Sequence, residues 1–171
     1  MFILQLTSTI NMKKEKDIIN IWVENRPGVL GKISSICRRR RFNIDAITAG
    51  QTNMKDRTLI TLVVSGSRVD QVINQINKLI EVVKIEQVDL GKVNIRELLI
   101  LRIVAKRSNK ELFEYIKKHG NLKILEQNKK ETILEITTNH MEADRIVSKI
   151  KNKDVLELIR TGLTAVRKIN G

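Results

Sequence analysis

The stretch that decides the fold is IINIWVENRPGVLGKISSIC, residues 18–37, because its hydrophobic period changes half-way along. Apolar residues alternate from Ile19 to Val23, which predicts a half-buried strand. Pro27 and Gly28 then mark the start of a helix, with Pro27 expected at the first helical position. The apolar residues that follow have three-to-four spacing along one face. The sequence therefore predicts a strand that leads directly into an amphipathic helix.

The rest of the chain repeats this order of elements. It predicts a hairpin, a helix and a fourth strand over residues 42–46, 59–64, 69–80 and 82–88. A second strand, helix, hairpin, helix and strand follow over residues 98–105, 112–116, 122–126, 132–137, 143–150 and 155–166. This self-similarity predicts an α+β fold of two tandem ferredoxin-like βαββαβ units, each a four-stranded antiparallel sheet with two helices on one face.

The two units are expected to span residues 18–90 and 95–171, after an N-terminal extension over residues 1–17 in which Met12 is an alternative start. Units of this kind leave unpaired strand edges and an apolar sheet face, and both features promote association. We therefore expect a homo-oligomer joined side by side through its sheets.

Composition excludes several classes of protein. The chain has 171 residues, 42% of them hydrophobic and 30% charged, with one Pro and one Cys, so it is expected to fold without a disulfide, as in a reducing compartment. No apolar run approaches the roughly 20 residues that span a bilayer. The apolar stretch at residues 1–10 precedes lysines instead of following them, unlike a secretory signal. We expect a cytoplasmic protein, or one of the plastid stroma if its gene is organellar.

The net charge of +13 would attract phosphates or acidic protein surfaces. The run Arg38–Arg41 could grip phosphates, but at the end of a helix cations also complement the helix dipole. Aromatic residues make up 3% of the chain, which leaves few rings for stacking bases. A basic nucleic-acid-binding protein on a ferredoxin-like scaffold stays the alternative interpretation, and we expect neither nucleic acid nor a membrane as a partner.

Side chains suited to catalysis or metal binding do not form a recognisable pattern. The sequence has no pair of His residues at metal-ligand spacing, no CxxC and no Gly-rich phosphate loop. We expect His119 and His140 to be solvated turn residues, and Cys37 to be a small core residue. The sequence therefore predicts neither a catalytic residue nor a metal site in this chain.

The segment Glu24–Leu30 is the strongest candidate for binding a small anion. It joins a strand to a helix N-terminus, where free N–H groups and the positive end of the dipole suit a carboxylate. Gly28 would let a ligand approach the backbone closely. Asn25 has both a donor and acceptors, and could engage an ammonium group and a carboxylate together. The alternative is that Asn25 merely caps the helix and Gly28 merely turns the chain.

The sequence of this region resembles a known family. Residues 23–48, VENRPGVLGKISSICRRRRFNIDAIT, closely resemble the opening of the small, regulatory subunits of acetolactate synthase (acetohydroxyacid synthase), which are ACT-domain proteins. Further matches are the segment LIEVVKIEQV at 79–88, the entry Arg96–Leu98 and the late element Ile159–Gly162. The resemblance extends from residue 18 to residue 168.

The resemblance implies a non-catalytic subunit that activates a separate large catalytic subunit. It also implies feedback inhibition by valine of the first common step of branched-chain amino acid biosynthesis. The large subunit of such enzymes carries thiamine diphosphate, Mg²⁺ and FAD, so no cofactor is expected in this chain. A homodimer through the ACT domains is implied, with valine held at its interface.

The family pattern also implies which residues would hold valine. Asn25, Gly28, Val29 and Leu30 would form a first half-site on one protomer, and Asn43 with Ile44 would form a second half-site on its mate. The chain departs from the family pattern at Arg41, where relatives usually have Gly, and at Gly31, where many have a larger or polar residue. These departures bear on effector specificity and sensitivity.

Overall fold

The structure is a computed structural model and describes residues 16–66, 68–106, 109–150 and 154–169. The predicted N-terminal extension, with Met12, lies outside these residues apart from Lys16 and Asp17. In chain order the first elements are β1 (Lys16–Glu24), α1 (Val29–Arg39), β2 (Asn43–Gln51), β3 (Arg57–Ser65), α2 (Val69–Ile76) and β4 (Val82–Gln87). A short 3₁₀ helix (Leu90–Lys92) leads into β5 (Val93–Val104), α3 (Asn109–His119), β6 (Asn121–Gln127), β7 (Glu131–Thr138), α4 (His140–Lys149) and β8 (Val155–Arg167).

Within the described residues the strands form two four-stranded sheets, in the orders β2-β3-β1-β4 and β6-β7-β5-β8. Every pairing is antiparallel, including the ladder between β5 and β8. Helices alternate with the strands in the same order in both halves. The predicted fold class of two tandem ferredoxin-like units is confirmed.

The first core lies between the first sheet and helices α1 and α2. Its fully buried side chains are aliphatic and come from each of these layers: Ile19 and Ile21 of β1, Ile33 of α1, Leu62 of β3 and Ile76 of α2. Burying one such side chain stabilises the fold by roughly 1.5–3 kcal/mol relative to leaving it exposed. Cys37 is buried in the same core, as predicted, and burial raises the pKa of its thiol.

The second core repeats this arrangement under α3 and α4. Leu99 and Leu101 of β5, Leu134 of β7, Ile116 of α3 and Ile146 of α4 are all buried. The alternation along β7, with every second residue buried, is the period of a strand that has one face in a core. The two halves of the chain therefore have separate aliphatic cores.

A third buried cluster joins the two sheets. Strands β5 and β8 are 12 and 13 residues long, and their paired ends extend beyond the second sheet. Leu163 and Ala165 of β8 pack against Ile18 and Val63, on the face of the first sheet opposite its helices. Part of the apolar sheet face that we expected to require another protomer is therefore covered by this chain itself.

Two local predictions were wrong. Helix α1 begins at Val29, and Pro27 lies before its N-cap, Gly28, which adopts a left-handed conformation with φ 84°. Glycine adopts this conformation without strain, and the chain turns there from the extended strand into the helix. His119 and His140 are not turn residues: one is the last residue of α3 and the other the first of α4, both half-buried. Each faces a carboxylate, which explains their burial.

None of the helices in the described ranges is long and apolar enough to cross a membrane.

Candidate functional site

The N-terminus of α1 is open to a ligand. Gly28 is the N-cap, no side chain caps the helix, and no acidic residue lies in the first turn. The first N–H groups of a helix have no partner within it, and they carry the positive end of the dipole. The alternative interpretation, that Asn25 caps this helix, is therefore wrong, while Gly28 does turn the chain.

Space is available beside Gly28. A Cβ atom added to Gly28 would meet nothing within 4 Å, so the glycine is needed for its positive φ and not for close packing. Leu30 is 44% exposed, whereas Val29 is buried in the first core. Within the first half-site, Val29 can thus offer only its backbone, and Leu30 is the apolar side chain available to a ligand.

The charged groups around this helix start are already paired. Glu24 binds Arg26 at 2.8 Å and Arg57 at 3.3 Å. The largely buried carboxylate of Glu81 bonds to the Lys32 ammonium, which lowers the pKa of Glu81. Because these carboxylates are neutralised by neighbouring cations, they oppose an incoming anion only weakly.

Asn25 lies beside the hairpin that joins β2 to β3. Its backbone N–H donates to the Asp56 carbonyl at 2.9 Å, and its side chain is exposed. Asn25 lines a cleft of about 340 Å³ together with Gln51 at the end of β2 and the loop over residues 52–57. The amide of Asn25 is thus accessible, next to the C-terminal end of strand β2.

The second half-site is at the opposite end of β2. Asn43 is exposed and its Nδ2 donates to Asp45 Oδ1 at 2.5 Å, while Ile44 packs partly into the first core. Both line a cleft of about 470 Å³ that also includes Arg38 and Arg41 at the end of α1. Arg41 has a left-handed φ of 58°, where the family pattern has Gly.

A single chain does not bring the two half-sites together. Glu24 pairs with Arg57 at the start of β3, and Asn43 pairs with Ser65 at its end. At about 3.3 Å per residue, this separates the half-sites by roughly 26 Å. Strand β2 forms an edge of its sheet, paired on one side with β3 among the strands described. The half-sites can meet only across two copies of the chain.

Comparison with known proteins identifies the family. Residues 19–84 match the model of the acetolactate synthase small subunit-like ACT domain, described as "AHAS small subunit-like ACT domain". Residues 96–169 match a model described as "Small subunit of acetolactate synthase". A probable acetolactate synthase small subunit of Archaeoglobus fulgidus is 32% identical over 91% of this chain and 98% of its own length. The chain belongs to the acetolactate synthase small subunit family.

Other small subunits agree with this assignment. The acetolactate synthase small subunit of Bacillus subtilis is 28% identical over 88% of this chain and 89% of its own length. The crystal structure of the Thermotoga maritima small subunit has a TM-score of 0.80 at 27% identity, and the match covers 92% of this chain and 99% of that one. This small-subunit chain therefore shares the complete two-unit architecture of its relatives.

The structure also shows a partly buried polar cluster, centred on the buried Glu97, that the sequence did not predict. Glu97, in the entry to β5, bonds to Arg160 of β8 and to His140 at the start of α4, and Arg160 also binds Asp144. The sequence did single out two of these residues, because Glu97 and Arg160 lie in two segments that resemble the family. What the sequence lacked was any indication that residues 63 positions apart are in contact.

Among the residues described, no group of three or more His, Cys, Asp or Glu side chains is arranged to hold a metal ion.

Proposed function

We propose that this chain is the regulatory subunit of an acetolactate synthase. In this proposal it binds and activates a large catalytic subunit and confers feedback inhibition by valine on branched-chain amino acid biosynthesis. The observation that carries the proposal is an uncapped helix start beside an exposed asparagine, in a chain related along nearly its whole length to acetolactate synthase small subunits. Thiamine diphosphate, Mg²⁺ and FAD would belong to the large subunit.

Valine would bind at α1 as a zwitterion. Its carboxylate would accept hydrogen bonds from the N–H groups of the first helical turn, where the dipole favours negative charge. The side-chain oxygen of Asn25 would accept a bond from its ammonium group. The isopropyl group would contact Leu30, which is 44% exposed in one chain. Hydrogen bonds to charged groups of this kind contribute about 1.5–3 kcal/mol each.

A second copy would complete the site by pairing along β2. Antiparallel pairing of two β2 edges would place the start of one strand beside the end of the other. Asn43 and Ile44 of the second copy would then approach Gln51, which shares a cleft with Asn25. The same pairing would cover Ile47, which is 37% exposed on this edge. A homodimer is thus the assembly that joins the two half-sites.

A site shared by two copies gives valine a means of regulation. Because the ligand would contact both protomers, its binding would depend on the geometry of their interface. A coupling of about 1–3 kcal/mol between the effector site and the large subunit corresponds to a 5- to 150-fold change in binding affinity and would shift the enzyme between two states. The small subunit would then act on the chemistry without a catalytic residue of its own.

Reconstitution with the purified large subunit tests this function. We expect the wild-type chain to raise turnover and millimolar valine to reduce that turnover. We expect Asn25→Ala to abolish the valine effect and to retain activation, because Asn25 is exposed and supports no core. Asn94→Ala is the matched control, since Asn94 is an exposed asparagine on β5, away from α1. Unchanged turnover on adding the wild-type chain would contradict the subunit assignment.

A further inference from the structure

Two segments that resemble the family meet at the junction between the sheets. The Glu97 carboxylate is 2% exposed and accepts hydrogen bonds from Arg160 Nε at 2.6 Å and Nη2 at 3.0 Å. His140 Nδ1 lies 2.9 Å from the same carboxylate, and Arg160 Nη1 donates to Asp144 at 2.8 Å. We call these four residues, Glu97, His140, Asp144 and Arg160, the junction clasp. It ties β5, β8 and the start of α4 together.

The charges of the clasp are mutually satisfied. Burial alone would raise the pKa of Glu97, but the hydrogen bonds with His140 and Arg160 outweigh it and hold that pKa at about 2. The hydrogen bond to Glu97 in turn raises the pKa of Arg160. A planar guanidinium with two bonds to one carboxylate and a third to another has a fixed orientation. The backbone that carries Arg160 is therefore held in one position relative to β5 and α4.

The residues that follow Arg160 touch the first sheet. The Thr48 hydroxyl of β2 donates to the Thr161 carbonyl at 3.1 Å. Gly162 has a positive φ of 79°, and a Cβ there would lie 2.8 Å from Thr48 Oγ1 and 3.5 Å from the Ala46 Cβ. A cleft of about 250 Å³ beside this contact is lined by residues of both sheets, including Glu97 and Arg160. The clasp is thus linked to β2 through Thr161 and Gly162, the two residues that follow Arg160 in β8.

Strand β2 is also the strand that carries the second half-site. Asn43 and Ile44 begin β2, and Ala46 and Thr48 lie within the next four residues. A shift of β2 along or across its sheet would move Thr48 against the backbone at Thr161 and Gly162. Packed elements transmit such shifts because they pass between discrete arrangements and do not deform continuously.

We propose that the junction clasp and the contact between Thr48 and Thr161 couple the effector site at β2 to the second half of the chain, with Arg160 as the positioning residue. This inference rests on the proposed function, because it assumes that valine bound at α1 of one copy also contacts the start of β2 of the other. In this proposal, a shift of β2 caused by valine binding is passed from the first sheet to strand β8. Binding of valine and inhibition by valine are then separable properties.

Three variants separate them. Thr48→Val removes the hydroxyl with little change of shape, and Arg160→Gln removes the guanidinium from the clasp. Arg102→Gln is the control, since Arg102 lies on β5 of the same sheet and donates two hydrogen bonds to one carboxylate, Glu131, at 2.8 and 2.5 Å, away from the first sheet. Valine binding is measured by calorimetry on the free small subunit, and valine inhibition on the holoenzyme.

We expect Thr48→Val and Arg160→Gln to bind valine within about twofold of wild type and to need at least tenfold more valine for half-inhibition, while Arg102→Gln is unchanged in both measurements. Inhibition like wild type in Thr48→Val and Arg160→Gln would overturn the coupling role. Equal losses of binding and inhibition would also overturn it, because the junction would then only support the pocket. A wild-type chain that neither binds valine nor confers inhibition would instead defeat the sensing half of the proposed function.

A second measurement needs no ligand, and it also shows whether each variant folds. Trp22 of β1 is the only Trp in the sequence and reports on the first sheet, whereas Tyr115 of α3 is the only Tyr and reports on the second half. In urea the two signals should unfold together in wild type and Arg102→Gln, and at separate midpoints in Arg160→Gln. Coincident midpoints in all three proteins would show that the clasp does not couple the two halves.

Discussion

Helices α1 and α4 both follow a strand closely, and they begin in opposite ways. At α4, the Asn139 side chain accepts a hydrogen bond from the Glu142 N–H at 3.0 Å, and Glu142 places an acidic group in the first turn. At α1, Gly28 supplies neither a side-chain cap nor an acidic group. One helix start is closed by its own side chains and the other is open. Of these two helix starts, the one without a side-chain cap has first-turn N–H groups free for a ligand.

The two sheets differ in how much of their surface other parts of the chain cover. The first sheet has both faces covered, by its helices and by β8, so that Ile18 and Val63 are buried. On the second sheet, Ile100 and Ile133 occupy the face opposite the helices and are half-buried, while Ile159 is 50% exposed. The first sheet is therefore packed against the rest of the chain on both faces, and the second sheet on one.

The largest expected effect is a loss of stability, and it distinguishes two ion pairs of the second sheet, one with a buried carboxylate and one exposed to solvent. Glu97 is 2% exposed and Arg160 28%, and Arg160 would keep its bond to Asp144, so Glu97→Ala should reduce the free energy of unfolding by about 1.5–3 kcal/mol through the lost charged hydrogen bonds. The pair of Arg102 and Glu131 is solvent-exposed, at 45% and 31%, and Glu131→Ala should cost about 0–1 kcal/mol. Urea unfolding followed by circular dichroism measures both, and equal losses would contradict the comparison.

The next largest effect concerns the open helix start. Gly28→Asp would place a carboxylate where the valine carboxylate is proposed to bind, and should weaken valine binding about 10- to 100-fold, equivalent to the loss of about 1.4–2.8 kcal/mol. Gly28→Ala is the control, because it carries at least as much strain from a positive φ as Asp does but adds no charge, and its Cβ meets nothing. Calorimetric titration should show near-normal binding for Gly28→Ala. Equal losses in the two variants would mean that strain, and not occupancy, controls the site.

Two asparagines sharpen the comparison of helix starts. Asn139→Ala removes the cap of α4 and should lower the free energy of unfolding by about 1 kcal/mol, with no change in valine binding. Asn25→Ala should do the reverse, because Asn25 caps nothing and is exposed. Thermal unfolding and calorimetry on the same samples measure both properties. Loss of stability in Asn25→Ala of the size seen for Asn139→Ala would show a structural role that the geometry does not support.

The smallest effect on stability is expected when the pH falls from 7 to 5, because Glu97 keeps its charge over that range. The pKa of Glu97 is about 2 in the folded chain, below its value of 4.5 in an unfolded one. A depressed carboxyl pKa stabilises the fold above the unfolded value, and this stability is lost as the pH falls through the folded value. Between pH 7 and pH 5 the contribution of Glu97 should be constant, and it should decline from about pH 4.5 towards pH 2. Glu97→Gln should remove that part of the decline in pH-dependent unfolding, and an unchanged profile would contradict the assignment.

The sequence predicted the elements and the fold class because both depend on local period. Alternation in Ile19–Val23 and three-to-four spacing in α1 are properties of neighbouring residues, so they can be recognised without a structure. The exact helix start was missed because Pro27 and Gly28 are both compatible with several turns, and only the left-handed φ of Gly28 decides between them. Short-range pattern therefore defines the elements and leaves their ends open.

The polar parts of the molecule were harder to predict. Glu97 and Arg160 carry no periodic signal that would pair residues 63 positions apart, and His140 was assigned to a turn because its carboxylate partner was unknown. The resemblance suggested Asn25 and Asn43 together, yet in one chain they lie at opposite ends of a strand. Such contacts depend on tertiary packing or on a second copy, and neither can be predicted from the pattern of neighbouring residues.

We propose that valine binds at the open start of α1 together with the start of β2 from a second copy. Titration of ¹⁵N-labelled wild-type small subunit with valine, followed by the backbone amide signals, tests it most directly. We expect saturable shifts that are largest at Gly28, Val29 and Leu30 and at Asn43 and Ile44, and that are absent in Gly28→Asp. Saturable shifts confined to the second half of the chain, or no shifts at millimolar valine, would contradict it.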